Sequence, residues 1–391
     1  MTDHLQDVPL DASLFRGVVE VEHTPRGVQP HRLPAWARRQ LPDPQLLMAQ
    51  AQPSGVRLVF RTAATTIEVE AFPTRVAYVG APPRPLGVYE LIVDGVPTAR
   101  GSVDGGVVLT IDMTTGGRDV SAGEPGTLTF GGLPGTDKTV ELWLPHNEMT
   151  ELVALRADAP VSAVPAGDRP VWLHHGSSIS HGSNALTPTG TWPAIASAAA
   201  GVDLINLGFS GSALLDPATA RTMRDLRADV ISVKIGINLV NADLMRLRGF
   251  TAAMHGFLDT IRDGHPDTPL LLISPILCPI HEDTPGPGRP DPATLGTDAV
   301  KFMAVGDPAD VAWGKLTLRV IREQMRQIVE ARRQDDPNLH YLDGSELYGE
   351  DDAVVHPLPD ALHPDAETHV LMGERFAKLA LIPGGLLARR G

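Results

Sequence analysis

Residues 171–180 read Val-Trp-Leu-His-His-Gly-Ser-Ser-Ile-Ser, a short apolar strand that runs directly into a small polar turn carrying Ser178. Three further polar blocks each follow a predicted strand in the same half of the chain: Asn-Leu-Gly-Phe-Ser-Gly at 206–211, Gly-Ile-Asn at 236–238 and Asp-Ala-Leu-His at 360–363. In open sheets of alternating strands and helices, ligand sites lie at the carboxyl ends of the strands. The four blocks are therefore predicted to share one site.

The second part of the chain alternates apolar runs with helical patterns. Its apolar runs without polar alternation, as expected for parallel strands covered on both faces, are 202–207, 230–237 and 270–273. Apolar residues recur at helical spacing over 250–261 and 318–328, while Thr191 and Gly201 give start and stop signals for a further helix. This order predicts a three-layer α/β/α, flavodoxin-like domain with a central parallel sheet over 166–391.

The first part of the chain consists of short alternating strands separated by Gly, Pro and Asp turns. At 65–71, Thr-Thr-Ile-Glu-Val-Glu-Ala has the period-two pattern of an antiparallel strand with one solvated face. Asp94-Gly95 directly after another run is a hairpin signal. About eight such segments at regular spacing predict an all-β sandwich or jelly-roll domain over 1–165.

Composition and charge exclude several classes of function. The 391 residues include 33 Lys and Arg against 47 Asp and Glu, a formal net charge of -14. Because nucleic-acid binding depends on Lys and Arg that neutralise phosphates, we expect no nucleic-acid partner. Cys278 is the only cysteine, which excludes an internal disulfide and a Cys-rich zinc module. No signal peptide and no membrane-spanning run are recognisable, so we expect a cytoplasmic protein without a membrane partner.

The four blocks supply the parts that serine acyl transfer requires. The reaction needs a hydroxyl, a base, a group that orients the base, and donors for the oxyanion. Ser178 offers the hydroxyl, and His363 is the only histidine with an aspartate, Asp360, three residues before it. Asn238 can offer a side-chain amide, and Gly211 a backbone N–H that no side chain blocks.

In this order, the four blocks resemble those of the SGNH (GDSL-type) hydrolase superfamily, over roughly 166–391. The resemblance implies Ser178 as the nucleophile, Gly211 and Asn238 as oxyanion residues, and Asp360 and His363 as the Asp-x-x-His pair, in which Asp360 orients the base His363. The first domain is similar to the jelly-roll domains that precede SGNH domains in several carbohydrate esterases.

Two positions depart from the superfamily pattern. Ser177 stands where aspartate is common, and Leu239 occupies the usual aspartate of the Gly-x-Asn-Asp block. The second departure leaves the amide of Asn238 intact but removes a carboxylate beside it.

The sequence contains no motif typical of a metal site or of a phosphate-bearing cofactor. His174, His175 and His181 cluster in the sequence, but their spacing matches no metalloenzyme motif, so we interpret them as core residues and predict no metal. Phosphate-binding glycine loops and a Gly-x-Ser-x-Gly elbow are also absent from the sequence. The predicted mechanism uses no cofactor.

These observations predict a serine esterase that removes small acyl groups, acetyl first among them, from a hydroxylated or carbohydrate-like small molecule. Two alternatives stay open: an acyltransferase that uses the same residues, and a non-catalytic glycan-binding protein on an SGNH scaffold. The sequence also leaves a homo-oligomer open, and it leaves three roles open for the first domain: binding substrate, shielding the site or burying a dimer surface.

A long segment rich in Pro and Gly, 279–310, follows the apolar run at 270–273. Long loops in compact domains are often lids or binding loops. We expect this one to leave the sheet beside the site and to select the acyl acceptor, with His281 and Glu282 as substrate-binding residues.

Overall fold

The computed structural model describes residues 5–112, 115–165, 167–297 and 299–388. The chain forms two compact units that alternate along the sequence. The first comprises Met1–Pro34, Leu47–Arg169 and Leu186–Thr189, and the second comprises Ala35–Leu46, Pro170–Ala185 and Gly190–Gly391. The division into domains at 1–165 and 166–391 stays a prediction.

The first unit is built from β-strands. Within 5–112 and 115–165 the strands are β1 (Gln6–Val8), β2 (Phe15–Arg16), β3 (Glu20–His23), β4 (Val28–His31), β5 (Arg57–Thr62), β6 (Ile67–Tyr78), β7 (Val88–Val93), β8 (Val96–Ser102), β9 (Val107–Ile111), β10 (Arg118–Val120), β11 (Gly126–Phe130), β12 (Lys138–Trp143), β13 (Met149–Ala157) and β14 (Val161–Ala163). One sheet has the order β10-β9-β6-β13-β4-β3, with β1 beside β13 and β11 beside β6. The other has the order β14-β5-β12-β7-β8, with β2 beside β5.

The two sheets share one hydrophobic core, so the unit is a β-sandwich, as predicted. The alternation read at 65–71 places Ile67, Val69 and Ala71 of β6 in that core, while the glutamates between them are only partly buried. Side chains of the other sheet, including Phe60 and Leu142, join the same cluster. The finer assignment of a jelly roll stays a prediction.

The second unit contains a parallel sheet of five strands in the order β16-β15-β17-β18-β21. Its strands are β15 (Val171–Gly176), β16 (Asp203–Gly208), β17 (Val230–Lys234), β18 (Leu270–Ile273) and β21 (Leu339–Leu342). In chain order this is 2-1-3-4-5, the flavodoxin-like arrangement. Every residue of β17 and β18 is buried, which explains why these runs lack polar alternation.

Helices cover both faces of this sheet. The helices are α1 (Ala35–Gln40), α2 (Pro44–Ala51), α3 (Ser178–His181), α4 (Trp192–Ala200), α5 (Pro217–Asp225), α6 (Ile237–Asn241), α7 (Leu247–Gly264), α8 (Leu318–Arg332), α9 (Glu350–Val355) and α10 (Ala366–Phe376). Trp172 of β15 packs on Trp192 and Phe376, whereas the next-but-two residue, His175, stacks on Phe257 of α7. Because successive strand residues face opposite sides, α4 and α10 lie on one face and α7 on the other. The predicted three-layer α/β/α architecture is confirmed.

The predicted helices are confirmed with their caps and faces. Thr191 is the N-cap of α4, and Gly201 ends it in the left-handed conformation at φ 65°. The apolar residues that suggested helices at 250–261 and 318–328 are the buried ones of α7 and α8. None of the helices in the described ranges is long and apolar enough to cross a membrane.

The described parts of the segment 279–310, residues 279–297 and 299–310, contain a two-stranded hairpin of β19 (Gly288–Pro290) and β20 (Phe302–Ala304). The short strands have no alternation of buried and exposed apolar residues, since Arg289 is exposed and the other residues are only partly buried. The pattern of the sequence therefore gave no sign of them.

Candidate active site

Ser178 is the first residue of α3, directly after the strand β15. The short helix lies close against the two neighbouring strand ends, and this requires glycine at both. A Cβ on Gly176 would lie 2.3 Å from the Ser180 hydroxyl oxygen, and one on Gly208 would lie 2.5 Å from the His181 nitrogen. The two glycines therefore let the backbone bring Ser178 to the carboxyl edge of the sheet.

A continuous chain of hydrogen bonds joins three predicted site residues. Ser178 Oγ lies 2.9 Å from His363 Nε2, and His363 Nδ1 lies 2.7 Å from Asp360 Oδ2. The Ser178 residue is 7% exposed and the side chains of His363 and Asp360 are 15% and 20% exposed, so the group can be reached from solvent. The structure thus brings together residues that lie far apart in the sequence.

The turn that carries Asp360 and His363 is held by its own backbone. Asp360 Oδ1 accepts the N–H groups of Leu362 at 2.9 Å and His363 at 2.6 Å, while Ala361 between them takes a positive φ of 64°. Burial alone would raise the pKa of Asp360, but the hydrogen bonds from the His363 ring and from these N–H groups outweigh it and lower that pKa. Asp360 is therefore a stable carboxylate that orients the imidazole through Nδ1.

Gly211 and Asn238 follow the strands on either side of β15. Gly211 lies in a turn of 3-10 helix, Ser210–Ser212, that contacts α3, and Asn238 lies in α6 after β17. Asn238 Oδ1 accepts the N–H of Ala213 at 3.2 Å. Since that N–H can only be paired with the oxygen of the amide, Nδ2 is left to donate elsewhere.

His281 and Glu282 have contacts within their own loop and with α8. His281 is buried, with Nδ1 3.0 Å from the Thr284 carbonyl. Glu282 accepts two hydrogen bonds from Arg322, at 2.6 and 2.7 Å, and one from the Cys278 N–H at 3.0 Å. Among the described residues no hydrogen bond joins either of them to Ser178, Asp360 or His363, so their role as substrate contacts stays a prediction.

Phe302 is a neighbour of the site that sequence reasoning missed. Its N–H donates to the Asp360 carbonyl at 2.9 Å, and its ring lies edge-on to that of His363. On the opposite side of the same turn, the Cys278 thiol lies 3.5 Å from the Ala361 carbonyl. The only signal in the sequence was an aromatic residue in a loop suspected of bordering the site.

The clustered histidines are core residues with hydrogen-bond partners, as predicted. His174 bonds to the hydroxyls of Ser232 at 2.7 Å and Ser180 at 2.8 Å, and burial keeps its pKa well below the ordinary value. His175 and His181 each bond to a backbone carbonyl. Within the described parts of the chain, no three His, Cys, Asp or Glu side chains converge to hold a metal ion.

Two family models match separate parts of the chain. Residues 169–278 match the model of the GDSL-like lipase/acylhydrolase family, and residues 13–153 match the model of the SsfX3 N-terminal domain. No curated protein matches the chain. The matched range 169–278 includes Ser178, Gly211 and Asn238.

Several solved structures are similar over most of the chain. The salicylyl-acyltransferase SsfX3 of a tetracycline biosynthetic pathway is 28% identical, with 96% of each chain covered and a TM-score of 0.75. A GDSL-like lipase from Bacteroides ovatus ATCC 8483 is 18% identical, with 95% of this chain and 96% of that one covered and a TM-score of 0.66. A family-two carbohydrate esterase from Clostridium thermocellum is 15% identical, with 83% and 90% covered and a TM-score of 0.55. The resemblance to SGNH hydrolases with an N-terminal β domain is thereby confirmed.

Proposed function

We propose that this protein is a serine esterase that hydrolyses small acyl esters, acetyl esters first among them, of a hydroxylated or carbohydrate-like substrate. One observation carries the proposal: the hydrogen-bond chain from Ser178 Oγ through both ring nitrogens of His363 to Asp360. A serine hydroxyl is a weak nucleophile until a base within hydrogen-bond reach can take its proton, and the 2.9 Å contact meets that condition.

The reaction proceeds in two steps. Ser178 Oγ attacks the ester carbonyl as its proton moves to His363 Nε2, and the tetrahedral intermediate then expels the alcohol, which takes the proton back from Nε2. Water, activated by the same nitrogen, attacks the acyl-enzyme, and collapse of the second intermediate restores Ser178 and releases the carboxylic acid. Asp360 stabilises the imidazolium formed in each step.

The oxyanion is bound by the Ser178 N–H, the Gly211 N–H and the Asn238 amide. The pairing of Asn238 Oδ1 with the Ala213 N–H supports this role, because it turns the donor end of the amide away from the backbone. Each such donor contributes about 2.7–4 kcal/mol to transition-state stabilisation in a well-studied protease.

An acyltransferase is the second candidate. The observation that favours it is the 28% identity to SsfX3, a salicylyl-acyltransferase, over 96% of both chains. The same residues would serve, with an alcohol in place of water in the second step. Turnover of a nitrophenyl ester in the presence of a competing polyol separates the two, since a transferase forms the new ester faster than the free acid.

The test of the proposed function is Ser178→Ala. Turnover of a series of nitrophenyl esters should fall to background in the variant, while a fluorophosphonate probe should label Ser178 of the wild type and leave the variant unlabelled. Ser177→Ala is the matched control and should keep both labelling and turnover. A wild type without turnover or labelling would instead favour the non-catalytic, glycan-binding alternative.

A further inference from the structure

The first turn of α2 brings a glutamine, Gln45, beside the candidate oxyanion glycine. The position that a Cβ on Gly211 would occupy lies 3.8 Å from Gln45 Nε2 and 4.0 Å from Gln45 Cγ. Apart from Gly211, its two chain neighbours and the backbone of its own helical turn, no other atom of the described residues lies within 4 Å of that position. The space over Gly211 is therefore open except for one side chain, which comes from a distant part of the sequence.

The carboxamide of Gln45 differs from those of the neighbouring glutamines. Gln50 pairs with His31, and Gln52 donates to the Asn147 carbonyl at 3.3 Å. For Gln45, which is half-buried, no hydrogen-bond partner occurs among the residues that the structure describes. A polar group that is partly withdrawn from water and unpaired is available to a ligand.

The backbone around Gln45 is fixed within the second unit. Asp43 Oδ1 accepts the Leu46 N–H at 2.8 Å, which holds the first turn of α2. Before it, α1 packs on α5, with the guanidinium of Arg221 lying 4.8 Å from the centre of the Trp36 ring. These contacts fix the backbone from which the Gln45 side chain reaches Gly211.

We propose that Gln45 is a specificity-determining residue that hydrogen-bonds a hydroxyl of the substrate next to the scissile ester. The inference rests on the proposed function, because the Gly211 N–H is taken to hold the ester carbonyl oxygen. A carboxamide can both donate to and accept from a substrate hydroxyl. A substrate with an alkyl group in place of that hydroxyl would leave the Gln45 amide without a partner. Gln45 thus favours hydroxylated esters over their apolar isosteres.

Two pairs of isosteric esters test this by titrating the released acid. In the first pair, 2-hydroxyethyl acetate and propyl acetate, the hydroxyl lies on the alcohol side. In the second, ethyl glycolate and ethyl propionate, it lies on the acyl side. We expect the wild type to have the higher kcat/KM for the hydroxylated member of one pair, and the pair concerned identifies the side that Gln45 contacts.

The variant Gln45→Met keeps the length of the side chain and removes the amide. It should lower the preference for the hydroxylated ester roughly fivefold, the effect of one hydrogen bond, and leave kcat/KM for the apolar member unchanged within twofold. Gln327→Met on α8, where the exposed amide donates a hydrogen bond to Glu323, should leave the preference as in the wild type. An unchanged preference in Gln45→Met, or an equal loss on both members, would overturn the proposal.

A binding measurement separates this proposal from the proposed function. Ser178→Ala protein, with and without Gln45→Met, is titrated with the same esters and followed by ligand-observed NMR. Suppose that the wild type has no turnover, whereas the Ser178→Ala protein binds the hydroxylated ester more tightly and loses this preference when Gln45→Met is added. That result would support the role of Gln45 and contradict the proposed esterase function. Absence of any preference in binding overturns the inference.

Discussion

The ring of Phe302 stands edge-on to the imidazole of His363, with 5.9 Å between ring centroids and an angle of 80° between their planes. The same residue donates its N–H to the carbonyl of Asp360 at 2.9 Å. Phe302 of the hairpin β19–β20 therefore supports the predicted base, His363, with its ring and supports Asp360, which orients that base, with its backbone N–H.

Phe302→Ala should lower kcat/KM about three- to tenfold, because an edge-to-face aromatic pair contributes about 0.5–1.5 kcal/mol and its loss frees the imidazole to rotate. Initial rates on nitrophenyl acetate measure the effect. Trp313→Ala, at a residue that follows the segment 279–310 and is 81% exposed, is the control and should not change the rate. Equal rates for wild type and Phe302→Ala would mean that the ring does not hold His363.

Asn238→Asp should reduce kcat by a factor of about 10² to 10³, because it keeps an oxygen for the Ala213 N–H but replaces the donor by a second acceptor. Asn206→Asp is an informative contrast, since both ends of the Asn206 amide are bound to backbone groups, those of Ser180 and Gly208. That variant should lose thermal stability, whereas Asn238→Asp should lose mainly rate. A rate within threefold of the wild type for Asn238→Asp would exclude the oxyanion role.

Acid should destabilise the protein through His369. Its Nδ1 accepts the Trp192 N–H at 3.2 Å and its Nε2 donates to the Ser183 carbonyl at 2.9 Å, which requires the neutral ring. Burial lowers the pKa of His369 to about 4. Since the pKa is depressed on folding, the stabilisation is full above about pH 6.5 and is lost as the pH falls through about 4.

The difference between the ordinary histidine pKa of 6.5 and the pKa of about 4 for His369 corresponds to about 3 kcal/mol in the free energy of unfolding. Urea denaturation at pH 7, 5.5 and 4 measures it. His369→Gln should flatten the dependence on pH, and His23→Gln, at an exposed position, should leave it as in the wild type. The same slope in His369→Gln and wild type would show that other groups cause the acid response.

Glu282→Ala should lower the free energy of unfolding by about 3 kcal/mol, because the largely buried Arg322 guanidinium then keeps only the more distant carboxylate of Asp343, at 3.8 Å. Asp283→Ala, whose pair with Arg319 is exposed, should change the free energy of unfolding by less than about 1 kcal/mol.

His281→Ala tests the predicted substrate contact separately. If His281 binds the acceptor, turnover of a hydroxyl-rich ester should fall more than that of nitrophenyl acetate.

The residues of the hydrogen-bond chain were predictable from sequence because topology decides where they meet. Ser178 and Asn238 directly follow parallel strands, and the carboxyl ends of such strands lie at one edge of the sheet. Asp360 and His363 are three residues apart, close enough for one turn to pair them. Periodicity was sufficient for the helices α7 and α8, whose apolar residues recur every three or four positions and are buried.

The remaining features depend on contacts that no local pattern encodes. Phe302 lies in a segment of Pro and Gly without periodicity, and its short strand is held by pairing with β19. The Arg322 that binds Glu282 lies on a helix whose polar face gave no indication of its partner. Gln45 belongs to a stretch that composition assigned to the β-rich half, although that stretch packs in the second unit.

That last assignment bears on how the protein can be divided or recombined. A C-terminal fragment beginning at residue 166 would carry Ser178, Asp360 and His363 but would lack α1 and Gln45, which belong to the same compact unit. Exchanging catalytic halves between relatives by a single crossover would therefore separate Gln45 from Gly211. An exchange that keeps Gln45 beside Gly211 has to carry residues 35–46 along with the C-terminal half, so these two stretches form one unit for recombination although about 120 residues separate them in the chain.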